Sequence, residues 1–193
     1  MEVKGDITIT FFKDNIERIK EKLSAYLGKA WNVKSLKKSD VLLYNYYTQA
    51  YNSPQHEFIL FSPRSNPDTT ILFANILDGH IGLLQWLAKT TDVDFYHVSI
   101  SDGTGMFLQG YHFFHFSQSN NRYVLCYQDP RWTFYEEGKP LPFEDISLYT
   151  QRLKKRRLNK SVILVYLEHL GWKIEEDEFW QPAGNFYQFT DVS

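Results

Sequence analysis

His112 and His115 are the first residues in this 193-residue chain whose type suggests metal chemistry. They stand three apart in the run YHFFHF, which reads as a strand. Side chains three apart on a strand point to opposite faces, so one ion could not take both. Zinc would also need third and fourth ligands, and neither C-x-x-C nor H-E-x-x-H occurs. The plain reading is one buried and one exposed ring, and no metal or other cofactor is expected. A thiol nucleophile would need partial exposure and an electropositive neighbourhood. The single cysteine, Cys126, lies among Tyr123, Val124, Leu125 and Tyr127 and is expected in the core. One cysteine allows no intrachain disulfide, which suits a reducing compartment.

Asp102, Gly103, Thr104 and Gly105 form a glycine-rich turn after a strand. A phosphate loop would need a helix next, and the following MFLQGYHFF reads as another strand, so a hairpin turn is expected. No Walker lysine follows, and G-x-S-x-G is absent. Asp92, Asp94 and Asp102 flank one strand; paired carboxylates can do acid–base work or hold Mg²⁺. Spacing alone does not make them converge, and they read as solvated strand ends. A hydrolase with a non-standard His/Asp site would need two or more of His56, His80, His97, His112 and His115 to meet a carboxylate in one pocket.

Arg152 to Lys160 carries six basic residues in nine (RLKKRRLNK) and could touch phosphates. Cations are also at home near a helix C-terminus, and Glu175 to Glu178 can answer part of the charge. With a net charge of −2 and no RNA- or DNA-binding motif, nucleic acid is not the expected partner. The remaining candidates are aromatic. Tyr44, Tyr46, Tyr47 and Tyr51 share one segment, and Phe179, Trp180, Phe186 and Tyr187 cluster near the end. Some must fill the core, while Tyr and Trp also anchor protein interfaces at low entropy cost.

The elements that must position these residues are legible from periodicity. Ile7 to Phe12 reads as a strand. Asp14, with Glu17 three residues later, reads as a capping box for a helix over residues 15–27, its face Ile16, Ile19, Leu23 and Leu27, ended by Gly28. Lys34 to Lys38 reads as a loop. Asp40 to Tyr51 fits helix and strand spacing, with strand preferred for its first half. Strands are expected at 56–62, 69–75, 95–101, 106–116, 122–128 and 132–135, and a closing strand at 186–189. Asp78 caps a short helix bearing Ile81, Leu84, Leu87 and Ala88. After Pro140 and Pro142 a helix pair is expected: one with Phe143, Ile146, Tyr149 and Leu153 on its face, one capped by Ser161 and ended by Gly171.

The partial segregation of strands and helices predicts a single α+β domain over residues 1–193. Its twisted, mostly antiparallel sheet would pack against helices, with a C-terminal helix pair. Composition agrees: 43% apolar, 23% charged and 17% aromatic. The opening MEVKGDITIT has no apolar signal-peptide core, and no apolar run approaches a bilayer span, so a cytoplasmic location without membrane contact is expected.

One pattern runs through Arg131, Trp132, Phe134, Gly138, Pro140 to Glu144, Tyr149, Arg152, Arg157, Leu158, Tyr166, Leu167, Leu170 and Gly171. It resembles a group of uncharacterised bacterial cytosolic proteins, and the whole chain resembles the immunity proteins of polymorphic-toxin and contact-dependent growth-inhibition systems. The resemblance implies a non-enzymatic protein that binds a cognate toxin tightly and occludes its active site. It carries over no functional residue. The residues of the pattern have structural work of their own, with Trp132 and Phe134 on one strand face and Glu144 at a helix start. For such a binder, Tyr44, Tyr46, Tyr47 and Tyr51 are the candidate patch. Asp92, Asp94 and Asp102 are the candidate acidic rim, suited to a basic nuclease toxin.

Overall fold

Strand β1 (Ile7–Phe12) alternates Ile7, Ile9 and Phe11 on one side with Thr8, Thr10 and Phe12 on the other, and all six residues are buried. A strand buried on both sides must lie inside a sheet covered on both faces. In the computed structural model, which describes residues 5–38, 40, 42–44, 56–76, 78–104 and 108–192, β1 is central in a nine-stranded sheet. The other strands are β2 (Trp31–Leu36), β3 (Glu57–Phe61), β4 (Thr70–Ala74), β5 (Phe95–Ser101), β6 (Gly110–Phe116), β7 (Asn121–Asp129), β8 (Arg131–Glu137) and β9 (Phe186–Asp191). Their order is β2-β9-β3-β4-β1-β5-β6-β7-β8, and every pairing is antiparallel.

Helices α1 (Ile16–Leu27) and α2 (Ile81–Thr90) cover part of one face. Ile19 and Leu23 of α1 and Leu84, Leu87 and Ala88 of α2 pack with Phe12, Phe58, Leu72 and Phe95. The opposite face is sealed by α3 (Lys160–His169) and the chain that follows it. There Trp172 stacks on Phe11 at 4.5 Å and donates to Thr69 Oγ1 at 3.0 Å. Trp180 donates to the Ile174 carbonyl at 2.7 Å, so both buried indoles have their one donor satisfied.

Several expectations are corrected. The cap of α1 is Asn15, which accepts from Arg18 N at 2.9 Å; Asp14 instead holds the Arg18 guanidinium. The polar run 34–38 is not all loop: β2 reaches Leu36 and pairs with β9. As an exposed edge strand it has no apolar alternation to display. Leu43 and Tyr44 are helical, not strand. Asp78 is not the cap residue of α2; its side chain accepts from His80 N at 3.0 Å, and His80 caps in the left-handed region at φ 59°. A C-terminal helix pair is not found as such. Two short 3-10 segments, Ile146–Thr150 and Lys154–Arg156, precede a single α-helix capped by Asn159, not Ser161. Ile146 and Leu153, expected on a buried helix face, are exposed.

The first 3-10 segment is tied down through Tyr149 by a buried charge network. Arg122 on β7 is fully buried, and all three guanidinium nitrogens are bonded. Nε and one terminal nitrogen donate to Glu144 at 2.7–3.1 Å, the other to the Glu137 and Gly138 carbonyls. Glu136 adds a contact at 2.6 Å, and Tyr149 donates to Glu144 at 2.8 Å. Desolvation works against the Arg122 charge, but Glu144 and Glu136 more than offset it and raise its pKa. Gly138 makes the turn beside this network possible: a Cβ there would sit 2.0 Å from the Asn121 carbonyl oxygen.

Candidate functional site

The α1–α2 face of the sheet is not wholly apolar. Thr8 and Thr10 on β1 share it with His97, Ser99 and Ser101 on β5 and His112 on β6. Pairing lays these residues in rows across the strands. Thr8 faces Ser99, which faces His112; Thr10 faces His97, which faces Phe114; Ser101 faces Gly110, which faces Tyr127. The missing side chain of Gly110 leaves a depression beside Tyr127. All residues of these rows except Thr10, which lies beneath His97, floor a cavity of about 460 Å³, walled by Asp78 and Ile81 at the start of α2, by Asp6, and by the exposed Leu108.

The hydroxyls and rings in the floor are differently engaged. Thr10 Oγ1 and His97 Nδ1 are 2.9 Å apart, and both residues are buried. Burial pushes the His97 pKa down to about 3, with His112 adding a smaller push in the same direction. Gly79 roofs Thr8 and His97 at φ +56°; a Cβ there would lie 2.6 Å from the Thr8 methyl and 2.9 Å from His97 Cε1. Any other residue would lift the loop off the site. Thr8 Oγ1 donates to Ser99 Oγ at 3.2 Å. His112, half-buried beside Phe114, is also pushed down by burial, and neither histidine ring hydrogen-bonds a carboxylate among the described residues.

The other histidines lie elsewhere. His115 is on the opposite face of β6, stacked on Tyr96 at 4.4 Å, as the three-residue spacing requires. Its Nδ1 is buried without a hydrogen-bond partner among the described residues. His80 turns away from the cavity towards Phe58, Trp31 and His56, with ring centroids at 5.2, 5.4 and 6.5 Å; burial pushes it down to about 4. Among the described residues no group of three or more His, Cys, Asp or Glu is arranged to hold a metal ion. Cys126 is buried, donates to the Lys154 carbonyl at 3.2 Å, and is pushed up to about 11 by desolvation.

Of the residues singled out from sequence as a partner surface, the described ones, Tyr44, Asp92, Asp94 and Asp102, lie apart. Tyr44 is buried against Trp180, centroids 5.1 Å apart, and belongs to the core. Tyr46, Tyr47 and Tyr51 lie outside the described residues. Asp92 and Asp94 precede β5 and Asp102 follows it, a separation of roughly 26 Å from Asp94 to Asp102 at the rise of a strand. Asp92 is bound by Lys22 and Arg18; hydrogen bonds from Lys22 and from its own backbone hold its carboxyl at about 2. Asp94 is exposed. Asp102 organises a turn, accepting from Thr104 N at 2.9 Å and Gly5 N at 3.3 Å. Of the three acids, Asp102 alone adjoins the cavity strand-end at Ser101.

The basic run is partly dispersed. Lys160 pairs with Glu175 at 3.3 Å, and Arg157 donates to the Gln151 carbonyl and lies over the Phe134 ring. Arg152, Lys154, Lys155 and Arg156 are exposed. No helix among the described residues is long and apolar enough to cross a membrane.

The signal for the cavity was present in two short runs. ITIT and HVSIS each carry polar residues at every second position, which marks a polar strand face. Nothing local says that the two runs are neighbours. No protein-family model matches this chain, and no curated protein or solved structure matches it either.

Proposed function

We propose that this chain is an immunity protein that neutralises a cognate bacterial toxin by occluding its active site. In this reading it docks through the cavity-bearing part of the α1–α2 face. The observation that carries it is the mostly aromatic surface in and beside the cavity. Among the described residues, Phe114 and Tyr127 line the cavity half-buried, and Leu125, half-buried, and Tyr135, exposed, continue the same sheet face beside it. Aromatic side chains around a concavity suit the anchor-and-pocket arrangement of tight interfaces. Asp6, Asp78 and Asp102 border this surface and would serve as the acidic rim in place of Asp92 and Asp94. The test is co-expression with the product of the adjacent gene. A one-to-one complex, relief of toxicity, and loss of both on Leu125→Arg or Tyr127→Arg are expected. If no complex forms and toxicity persists, the reading is wrong.

One observation favours a hydrolase as the second reading. His97 and His112 share a cavity with Ser99, Ser101 and the carboxylates Asp6 and Asp78. The arrangement is a poor proton relay: His97 is engaged by buried Thr10, and its depressed pKa makes it a weak base. A fluorophosphonate probe that labelled Ser99 or Ser101, with labelling lost on His112→Ala, would overturn the binder reading.

A further inference from the structure

The cavity has a chemistry of its own, apart from the surface around it. Its floor carries the rings of His112, Phe114 and Tyr127 beside Ser99 and Ser101, with His112 and Phe114 near-parallel at 5.6 Å. Its lining includes the carboxylates of Asp6 and Asp78 and, among the described residues, no Lys or Arg. Burial disfavours the charged forms of both histidines, His97 and His112. The start of α2 lies beside Asp78 and contributes about half a positive charge, which offsets at most part of one carboxylate. Among the described lining residues the balance at Asp78 is therefore negative. A phosphate or carboxylate entering the cavity would lose water and gain repulsion. Polar groups that accept hydrogen bonds dominate, and ring faces attract cations.

We propose that this cavity binds a flat organic cation, a guanidinium or amidinium carried on an apolar stem. Its plane would lie on the ring faces of the floor and its N–H groups would donate towards Asp78. Arg-type groups suit such a site because they present several donors in one plane and shed water more readily than an ammonium. The cavity chemistry stands alone; that the cation is an arginine side chain of a protein toxin rests on the immunity reading.

The test is an NMR titration of the full chain with benzamidine, benzamide and benzoate, following the ring resonances of His112 and Tyr127. Benzamidine should shift both and saturate. Benzamide, of the same shape without the charge, should bind about tenfold more weakly, and benzoate should not bind. Asp78→Asn keeps an oxygen to accept from His80 N and should weaken benzamidine by about tenfold. Equal binding of the three probes, or no shift with benzamidine, overturns the proposal without any appeal to a variant. A second arm finds the source. If the toxin complex excludes benzamidine and loses affinity with Asp78→Asn, the cation belongs to the partner. If benzamidine binds as well to the complex as to the free chain, the cavity serves a small molecule. Benzamidine binding with no toxin partner sinks the immunity reading alone. A toxin complex formed by a chain that ignores benzamidine sinks this proposal alone.

Discussion

On the α3 face Arg122 is buried with every guanidinium nitrogen bonded, while on the α1–α2 face Ser99, Ser101 and His112 border open space. The first arrangement costs desolvation and recovers it through Glu144, Glu136 and two carbonyls. It has no capacity left for a ligand. The second holds polar groups at the floor of a cavity where only part of their bonding capacity is used within the fold. The difference separates polar groups that hold the fold from polar groups positioned to meet something else. The motif that prompted the resemblance, from Arg131 to Gly171, falls on the first side. Glu144, Tyr149 and Tyr166 are network members, with the two phenol oxygens 3.1 Å apart.

The contrast can be broken by substitution, and the largest effect is expected at Glu144. Glu144→Ala leaves a buried guanidinium with only the half-exposed Glu136 and two carbonyls, and should cost about 3–5 kcal/mol in urea unfolding. The double change Arg122→Met with Glu144→Leu should cost less than Glu144→Ala alone, because no orphaned charge remains. If Glu144→Ala is tolerated, the network is not a structural tie.

The next effect is on pH dependence. His97 takes its proton near 6.5 when unfolded and near 3 when folded, so below 6.5 the unfolded chain binds more protons. Stability should be full above about pH 6.5 and fall steadily towards pH 3. His80, pushed to about 4, adds to the same slope. Thermal melts at pH 7 and pH 4.5 should separate clearly, and His97→Gln should narrow the gap; an unchanged gap would mean that His97 is not buried neutral.

Thr10→Val tests the cavity side at smaller scale. It removes the hydroxyl beside His97 Nδ1 without changing shape, and should cost about 1–3 kcal/mol while leaving benzamidine binding unchanged. Least of all, Asp92→Asn should leave the denaturation midpoint where it was. Its ion pairs with Arg18 and Lys22 are exposed and screened by water.

Much of the architecture was legible in short runs. Strands at 57–61, 70–74 and 95–101 were marked by apolar runs between turn residues, and α1 by its 3-4-4 spacing. The misreadings share a cause. β2 has four exposed residues and borrows its strand geometry from β9, about 150 positions away, through bonds that no local pattern records. The expected helix through Tyr149 and Leu153 has the right spacing, but Glu144 and Tyr149 are claimed by Arg122, and the chain turns in 3-10 steps to reach it.

For the site, residue types and face alternation are properties of neighbouring residues, and the chain states them outright: Thr8 and Thr10 on one face of a strand, His97, Ser99 and Ser101 on one face of another. Cys126 as core and the opposed His112 and His115 follow in the same way. Which strands are neighbours is a different matter. β1 and β5 lie more than eighty positions apart and come together because the intervening β3, β4 and α2 bury their apolar sides against β1 and its neighbours. Only that packing brings the two polar faces into one row, sets Gly79 above them, and forms the cavity between them and the start of α2.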